Sequence, residues 1–164
     1  MIPFKHTRNG ALTIKGDVII LNANTATKSD YPLILKIWEA SVRKTHHFLK
    51  ESDLLFYKEI IPQALDSVNL IVWKNQNHKV VGFSGIDKDE LVMLFLDPQF
   101  IGQGYGREIL STLVRKYDIK RIDVNSQNVQ VKRFYLKNNF KIDSEDPVDG
   151  FGKPYPITHL IRSI

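Results

Sequence analysis

The stretch Leu94-Phe95-Leu96-Asp97-Pro98-Gln99-Phe100-Ile101-Gly102-Gln103-Gly104-Tyr105-Gly106-Arg107 constrains this chain more than any other. An apolar run of strand character ends at Asp97-Pro98 and crosses a glycine-rich turn. It gives way to Ile109, Leu110, Leu113, Val114 and Tyr117, which are spaced for one apolar face of a helix. The start of a helix leaves backbone N–H groups unpaired and adds the positive end of the helix dipole, and glycines let an anion approach without a Cβ in the way. The segment therefore reads as an anion cradle wide enough for a pyrophosphate. Two other glycine motifs fail on spacing: a dinucleotide fingerprint needs glycine where Arg107 stands, and a P-loop needs Gly-Lys-Ser/Thr. The bland alternative is a tight strand-to-helix turn that holds no ligand.

With 164 residues the chain has the length of one domain with a single core. Its 43% hydrophobic and 25% charged residues are ordinary for a globular protein, and it carries no internal repeat. The absence of cysteine excludes disulfides, thiolate metal ligands and a thiol nucleophile. The longest apolar runs, Val18 to Leu21 and Leu91 to Leu96, are too short for a signal-peptide core or a membrane span, so a cytoplasmic protein with no membrane partner is expected. A net charge of +5 fits nucleic acid, an acidic protein or a small polyanion. With no basic block and no basic stripe interleaved with aromatics, no nucleic-acid partner is expected.

Residues 1–16 show no sustained period and read as an N-terminal extension, with the compact domain starting near Asp17 and running to 164. Val18 to Leu21 reads as a strand. A helix starting at Ser29 or Asp30, with Pro32 in its first turn, carries Ile34, Ile37, Trp38 and Ser41 on one face. A second helical stretch from Ser52 or Asp53 should break or kink at Pro62. Leu70 to Trp73, Val80 to Ile86 and Leu91 to Leu96 form an antiparallel meander. After the glycine turn and its helix come a strand at Arg121 to Val124, a helix at Asn128 to Asn138, and closing strands near Phe140 to Asp143 and Ile157 to Ile161. The order is β, α, α, β, β, β, α, β, α, β, β.

Two blocks in this order resemble the GNAT superfamily of N-acetyltransferases. The first, strand to Gly102-Gln103-Gly104-Tyr105-Gly106 to helix, is similar to the family's acetyl-CoA signature Arg/Gln-x-x-Gly-x-Gly/Ala, with Ile101 in place of the usual first residue. The second, Asn125 to Phe140, resembles Asn-x-x-Ala-x-x-Phe-Tyr-x-x-x-Gly-Phe, with Asn139 in the glycine position. Asparagine is the next best residue for a left-handed helix end. Trp38 to Leu49 and Gly152-Lys153-Pro154-Tyr155-Pro156 add a likeness to the small bacterial YjaB-like acetyltransferases.

The resemblance implies an α/β (α+β) GNAT fold, a mixed and mostly antiparallel twisted sheet of about six to seven strands flanked by about four helices, with a splayed strand pair holding acetyl-CoA. It implies transfer of the acetyl group to a primary amine by direct attack in a ternary complex, with no metal and no acyl-enzyme, in a monomer or homodimer. The acceptor is a small amine, a protein lysine or a protein N-terminus. By the same resemblance the donor is bound by Phe95, Leu96, Gly102, Gln103, Gly104, Tyr105, Gly106, Arg107, Asn125 and Asn128, and Tyr135 is the general acid facing the thioester sulfur. A core anchor is the structural alternative for Tyr135. Glu39, His46 and His47 are the candidates for the acceptor side or the general base. Adjacent helical histidines point to different sides, so at most one faces the pocket, and their spacing does not suit two metal ligands. Lys132, Arg133 and Lys137 read as a solvated helix face. The alternatives to an enzyme are a non-catalytic acetyl-CoA sensor or interaction module and, on charge alone, a nucleic-acid-binding α/β protein.

Overall fold

The central strands are buried on both faces, and that fact organises the molecule. A computed structural model describes residues 19–163 in full, together with the backbone of Phe4–His6 (β1) and Leu12–Ile14 (β2). Strands β4 (Asn69–Asn75), β5 (Val80–Asp87) and β6 (Glu90–Leu96) form the meander expected from the alternating runs. With β3 (Leu21–Thr25), β7 (Arg121–Asn125), β8 (Phe140–Asp146) and β9 (Ile157–Arg162) they build one seven-stranded sheet in the order β3-β4-β5-β6-β7-β9-β8. Every neighbouring pair is antiparallel except β6 and β7.

One face is covered by α1 (Tyr31–Thr45) and α2 (Glu51–Asp66), the other by α3 (Tyr105–Tyr117) and α4 (Val129–Lys137). The apolar stripe Ile34, Ile37, Trp38 and Val42 of α1, with the buried Ser41 on the same face, packs with Val72, Phe83 and Met93. Opposite it, Ile109, Leu110 and Leu113 of α3 and Tyr135 of α4 pack with Ile71, Trp73, Ile122 and Leu160. Each fully buried aliphatic side chain contributes about 1.5–3 kcal/mol relative to exposure, so the two clusters hold the helices in place. The buried Trp73 indole N–H donates to the Ser84 hydroxyl at 2.9 Å, which removes the penalty of about 1–3 kcal/mol for an unpaired buried donor. Gly82 is required where β5 meets β6, since a Cβ there would stand 2.4 Å from the Phe95 carbonyl oxygen.

Three expectations need correction. The first strand of the sheet is Leu21–Thr25, not Val18 to Leu21, and Val18 lies outside the described residues. As an edge strand it is mostly exposed, so it carries no hydrophobic period to read. Helix α2 continues through Pro62 to Asp66. Proline removes the bond to the Lys58 carbonyl, but the buried Leu54 and Leu65 lie on opposite sides of the break and packing keeps the axis helical. Strand β8 runs to Asp146, although every residue after Phe140 is exposed. Within the extension assigned to 1–16, the backbones of β1 and β2 pair as a separate antiparallel ladder. The boundary at Asp17 lies outside the described residues. No helix among the described residues is long and apolar enough to cross a membrane.

Candidate active site

Strands β6 and β7 pair only at Glu90–Arg121 and Leu91–Ile122 and then diverge. Beyond that point their facing edges have no partner strand, which leaves backbone donors and acceptors available to an extended ligand. On its other side β6 stays paired with β5 as far as Gly82–Leu96. The Asp97 amide donates to the Val81 carbonyl at 2.9 Å, which sets the hydrogen-bonded register. By the alternation of an antiparallel ladder, the peptide edge of Phe95 is then taken by Phe83, and the edges of Leu94 and Leu96 turn into the gap. Near the start of the gap, Ile86 pairs with Leu91 and Gly85 with Met93, so Val92 is the extra residue of a bulge that bends β6 away from β7.

The gap opens into a cavity of about 750 Å³. Its walls are residues 91–96 of β6 and Ile122 to Asn125 of β7, the cradle residues Gly102, Gly104, Gly106 and Arg107, Asn128 and Tyr135 from the second block, and Ser41, Thr45 and His46 from the end of α1. Most of the residues singled out in the sequence thus meet around one space. Gln103 and Tyr105 belong to the same turn but do not line it, and Gln103 bonds the Gln99 carbonyl at 2.8 Å.

The cradle is built by backbone conformation. Asp97 caps the turn by accepting from the Gln99 amide at 3.1 Å, and Gly102 and Gly104 have φ of +81° and +89°, a region that disfavours a side chain. Gly104 is the N-cap of α3, so the amides of Tyr105, Gly106 and Arg107 begin the helix with no intrahelical acceptor. Ile101 lines the cavity and is 42% exposed, so it offers no charge to a phosphate there. Asn128 is buried and caps α4 by accepting from the Val131 amide at 3.4 Å, while Asn125 accepts from Gln127 at 3.0 Å. Both carboxamide oxygens hold the local backbone, and their NH₂ groups remain as donors.

Tyr135 is 4% exposed and packs edge-on to Phe140 at 6.1 Å between ring centres. Its hydroxyl has no hydrogen-bond partner among the described residues, and burial pushes its pKa up, so it is a neutral phenol at pH 7. A buried O–H without a partner beside a groove is a group waiting for an acceptor.

Of the three base candidates, only His46 lines the cavity. Burial, and then the neighbouring His47, lower its pKa to about 4, so the ring is neutral at pH 7. The Thr45 hydroxyl donates to the Ser41 carbonyl at 2.8 Å and lies 2.7 Å from His46 Nδ1. With the hydroxyl proton committed, Nδ1 carries the ring proton and Nε2 keeps its lone pair. His47 is exposed, and Glu39 is engaged by Lys58 at 2.5 Å and Arg43 at 3.2 Å, which hold its carboxyl below the usual range.

Local patterns do not reveal how the far wall is held. The loop between β8 and β9 is fastened onto α2: Tyr57 donates to Asp149, Tyr155 donates to Asp53, and Lys153 Nζ pairs with Asp53 at 2.9 Å. Tyr155 packs against Phe48, which packs against His46, at 6.2 and 5.3 Å between ring centres. The segments Trp38 to Phe56 and Asp146 to Tyr155 therefore meet at the His46 end of the groove. No cluster of three or more metal-ligating side chains occurs among the described residues.

The acetyltransferase (GNAT) domain family matches residues 66–142. The peptidyl-lysine N-acetyltransferase YjaB of Salmonella typhimurium is 30% identical over 143 residues, covering 87% of this chain and 99% of that protein. The solution structure of apo YjaB from Escherichia coli superposes with a TM-score of 0.80 at 28% identity, covering 87% of this chain and 97% of that one. The PaiA N-acetyltransferase of Thermoplasma acidophilum, solved in complex with coenzyme A, shares the fold with a TM-score of 0.62 at 19% identity, covering 85% and 98% of the two chains.

Proposed function

The chain belongs to the GNAT acetyltransferase family and moves an acetyl group from acetyl-CoA to a primary amine, and we propose that this amine is the side chain of a lysine in a protein, with the donor lying between β6 and β7. The observation that carries the donor's placement is the divergence of those two strands into a cavity that the glycine cradle also lines. The donor is long, flexible and anionic at one end. A groove with unpaired peptide edges suits its amide-bearing arm, and free helix amides suit its pyrophosphate. The lysine acceptor rests on the name of the YjaB relative and on the cavity wall at His46, whose ring is backed by Phe48 and, behind it, Tyr155.

In the reaction the acceptor nitrogen forms a bond to the acetyl carbon and loses a proton, while the C–S bond breaks and the sulfur gains one. The chain's residues divide this work. The Leu94 or Leu96 amide, turned into the groove, holds the acetyl oxygen and stabilises the charge that builds on it. The Leu94 edge refines the expected pair Phe95 and Leu96, since the Phe95 edge faces β5. Amides of Gly102 to Arg107 hold the pyrophosphate, and the Asn125 and Asn128 carboxamides donate to the arm. Tyr135 gives its proton to the departing sulfur. His46, neutral and with Nε2 free, takes the nitrogen's proton. Holding both reactants in one groove supplies much of the acceleration, because alignment replaces a bimolecular encounter.

The acceptor class is tested with peptides that each carry one lysine and a blocked N-terminus, incubated with acetyl-CoA and read by mass spectrometry. Acetylation of the lysine is expected. Turnover restricted to free N-termini or to small amines such as polyamines would contradict the lysine assignment and leave the donor site standing.

A further inference from the structure

A second pocket of about 440 Å³ lies between α3 and the ends of α4 and β9, and it meets the first at Arg107 and Asn138. Arg107, Ser111 and Arg115 line it from one stripe of α3, and Arg162 enters from β9. Over the eight residues from Arg107 to Arg115 the helix rises about 12 Å, so the stripe is a basic track leading away from the cradle. Leu110 and Val114 supply an apolar floor, which strengthens any charge pairing above it.

Two of the three arginines are not consumed by the fold. Neither Arg107 nor Arg115 has an ion-pair partner among the described residues. Arg162 Nη2 meets Asp118 at 2.6 Å, but Asp118 also faces Lys120 at 3.4 Å. Arg115 lies in the last turn of α3, where the helix dipole favours a cation. Arg107 lies in the first turn, where the dipole disfavours one, beside helix amides that already lack acceptors. A cation at the wrong end of a helix, facing a concave pocket with two more guanidinium groups, points to an anion.

We propose that this pocket is a phosphomonoester site, in which Arg115 and Arg162 grip a phosphate and Arg107 bridges it to the cradle. The planar guanidinium fork matches two phosphate oxygens at once. Two sources offer that chemistry: the 3′-phosphate of the donor, about one ribose away from the pyrophosphate, or a separate phosphate. The first rests on the donor placement proposed above, and the second does not.

The experiment compares acetyl-CoA with 3′-dephospho-acetyl-CoA by calorimetry, on the parent protein, Arg115→Ala and Arg115→Lys, and follows inorganic phosphate by phosphorus NMR on the same proteins. If the donor's 3′-phosphate fills the site, the parent prefers acetyl-CoA by about tenfold, Arg115→Ala loses that preference while binding the dephospho compound unchanged, and Arg115→Lys restores part of it. If a separate phosphate fills it, the parent binds both donors equally and broadens the phosphate resonance, and Arg115→Ala does not broaden it. Equal binding of both donors by all three proteins, with no Arg115-dependent phosphate binding, overturns the proposal. Failure of the parent to bind either donor would instead sink the groove reading, and the phosphate titration would still decide this pocket.

Discussion

Gly104→Val weakens acetyl-CoA binding by about 100-fold, equivalent to about 2.7 kcal/mol, as the expected result of calorimetry on the variant. Two effects combine. At φ +89° a β-branched residue is forced into a region that costs about 1–2 kcal/mol, so the turn shifts and the amides of Tyr105 to Arg107 lose their common direction. The new side chain also stands at the cradle, where a Cβ would meet the Ile19 Cδ1 at 2.8 Å. Because that neighbour is the tip of a flexible side chain, the fold absorbs the contact, and thermal unfolding should fall by only a few degrees. A variant that keeps the parent's affinity would mean that the cradle does not hold the donor.

Tyr135→Phe is the complementary case, a loss of rate without a loss of binding. The ring and its packing against Phe134 and Phe140 are retained, and the missing hydroxyl has no partner among the described residues, so folding stability is unchanged or slightly higher. The turnover number should drop by about 100-fold or more, the usual contribution of a positioned proton donor, while KM for both substrates stays near the parent's. A purely structural tyrosine gives the opposite pattern, normal turnover with altered stability. Full activity across the pH range would assign the sulfur's proton to another group.

The sequence made the site legible where local physics fixes local structure. Gly102 and Gly104 announce positive φ, the change of period around them announces strand and helix, and Asn128 announces a helix cap. The burial of Ile34, Ile37, Trp38 and Ser41 follows from helical spacing alone. The edge strand Leu21–Thr25 escaped because a strand with one neighbour and little burial leaves no hydrophobic signature. Pro62 misled because its local cost is smaller than the packing of Leu54 and Leu65. The fastening of Tyr57 to Asp149 and of Tyr155 to Asp53 joins residues about a hundred positions apart, and no periodicity encodes such a pair. The same holds for the basic pocket, since α3 and β9 bring Arg115 and Arg162 together only in the folded chain. Among the histidines, spacing established that at most one could face the groove. A place on the cavity wall beside Thr45 singles out His46.

We propose the groove between β6 and β7, with the cradle at its mouth, as the acetyl-CoA site. Calorimetric titration of the parent protein with acetyl-CoA, beside free CoA and NADH, is the test of that placement. Binding on the order of micromolar, one donor per chain, shared by both CoA compounds and absent for NADH, is the result predicted. No heat with acetyl-CoA, or equal binding of NADH, would contradict it.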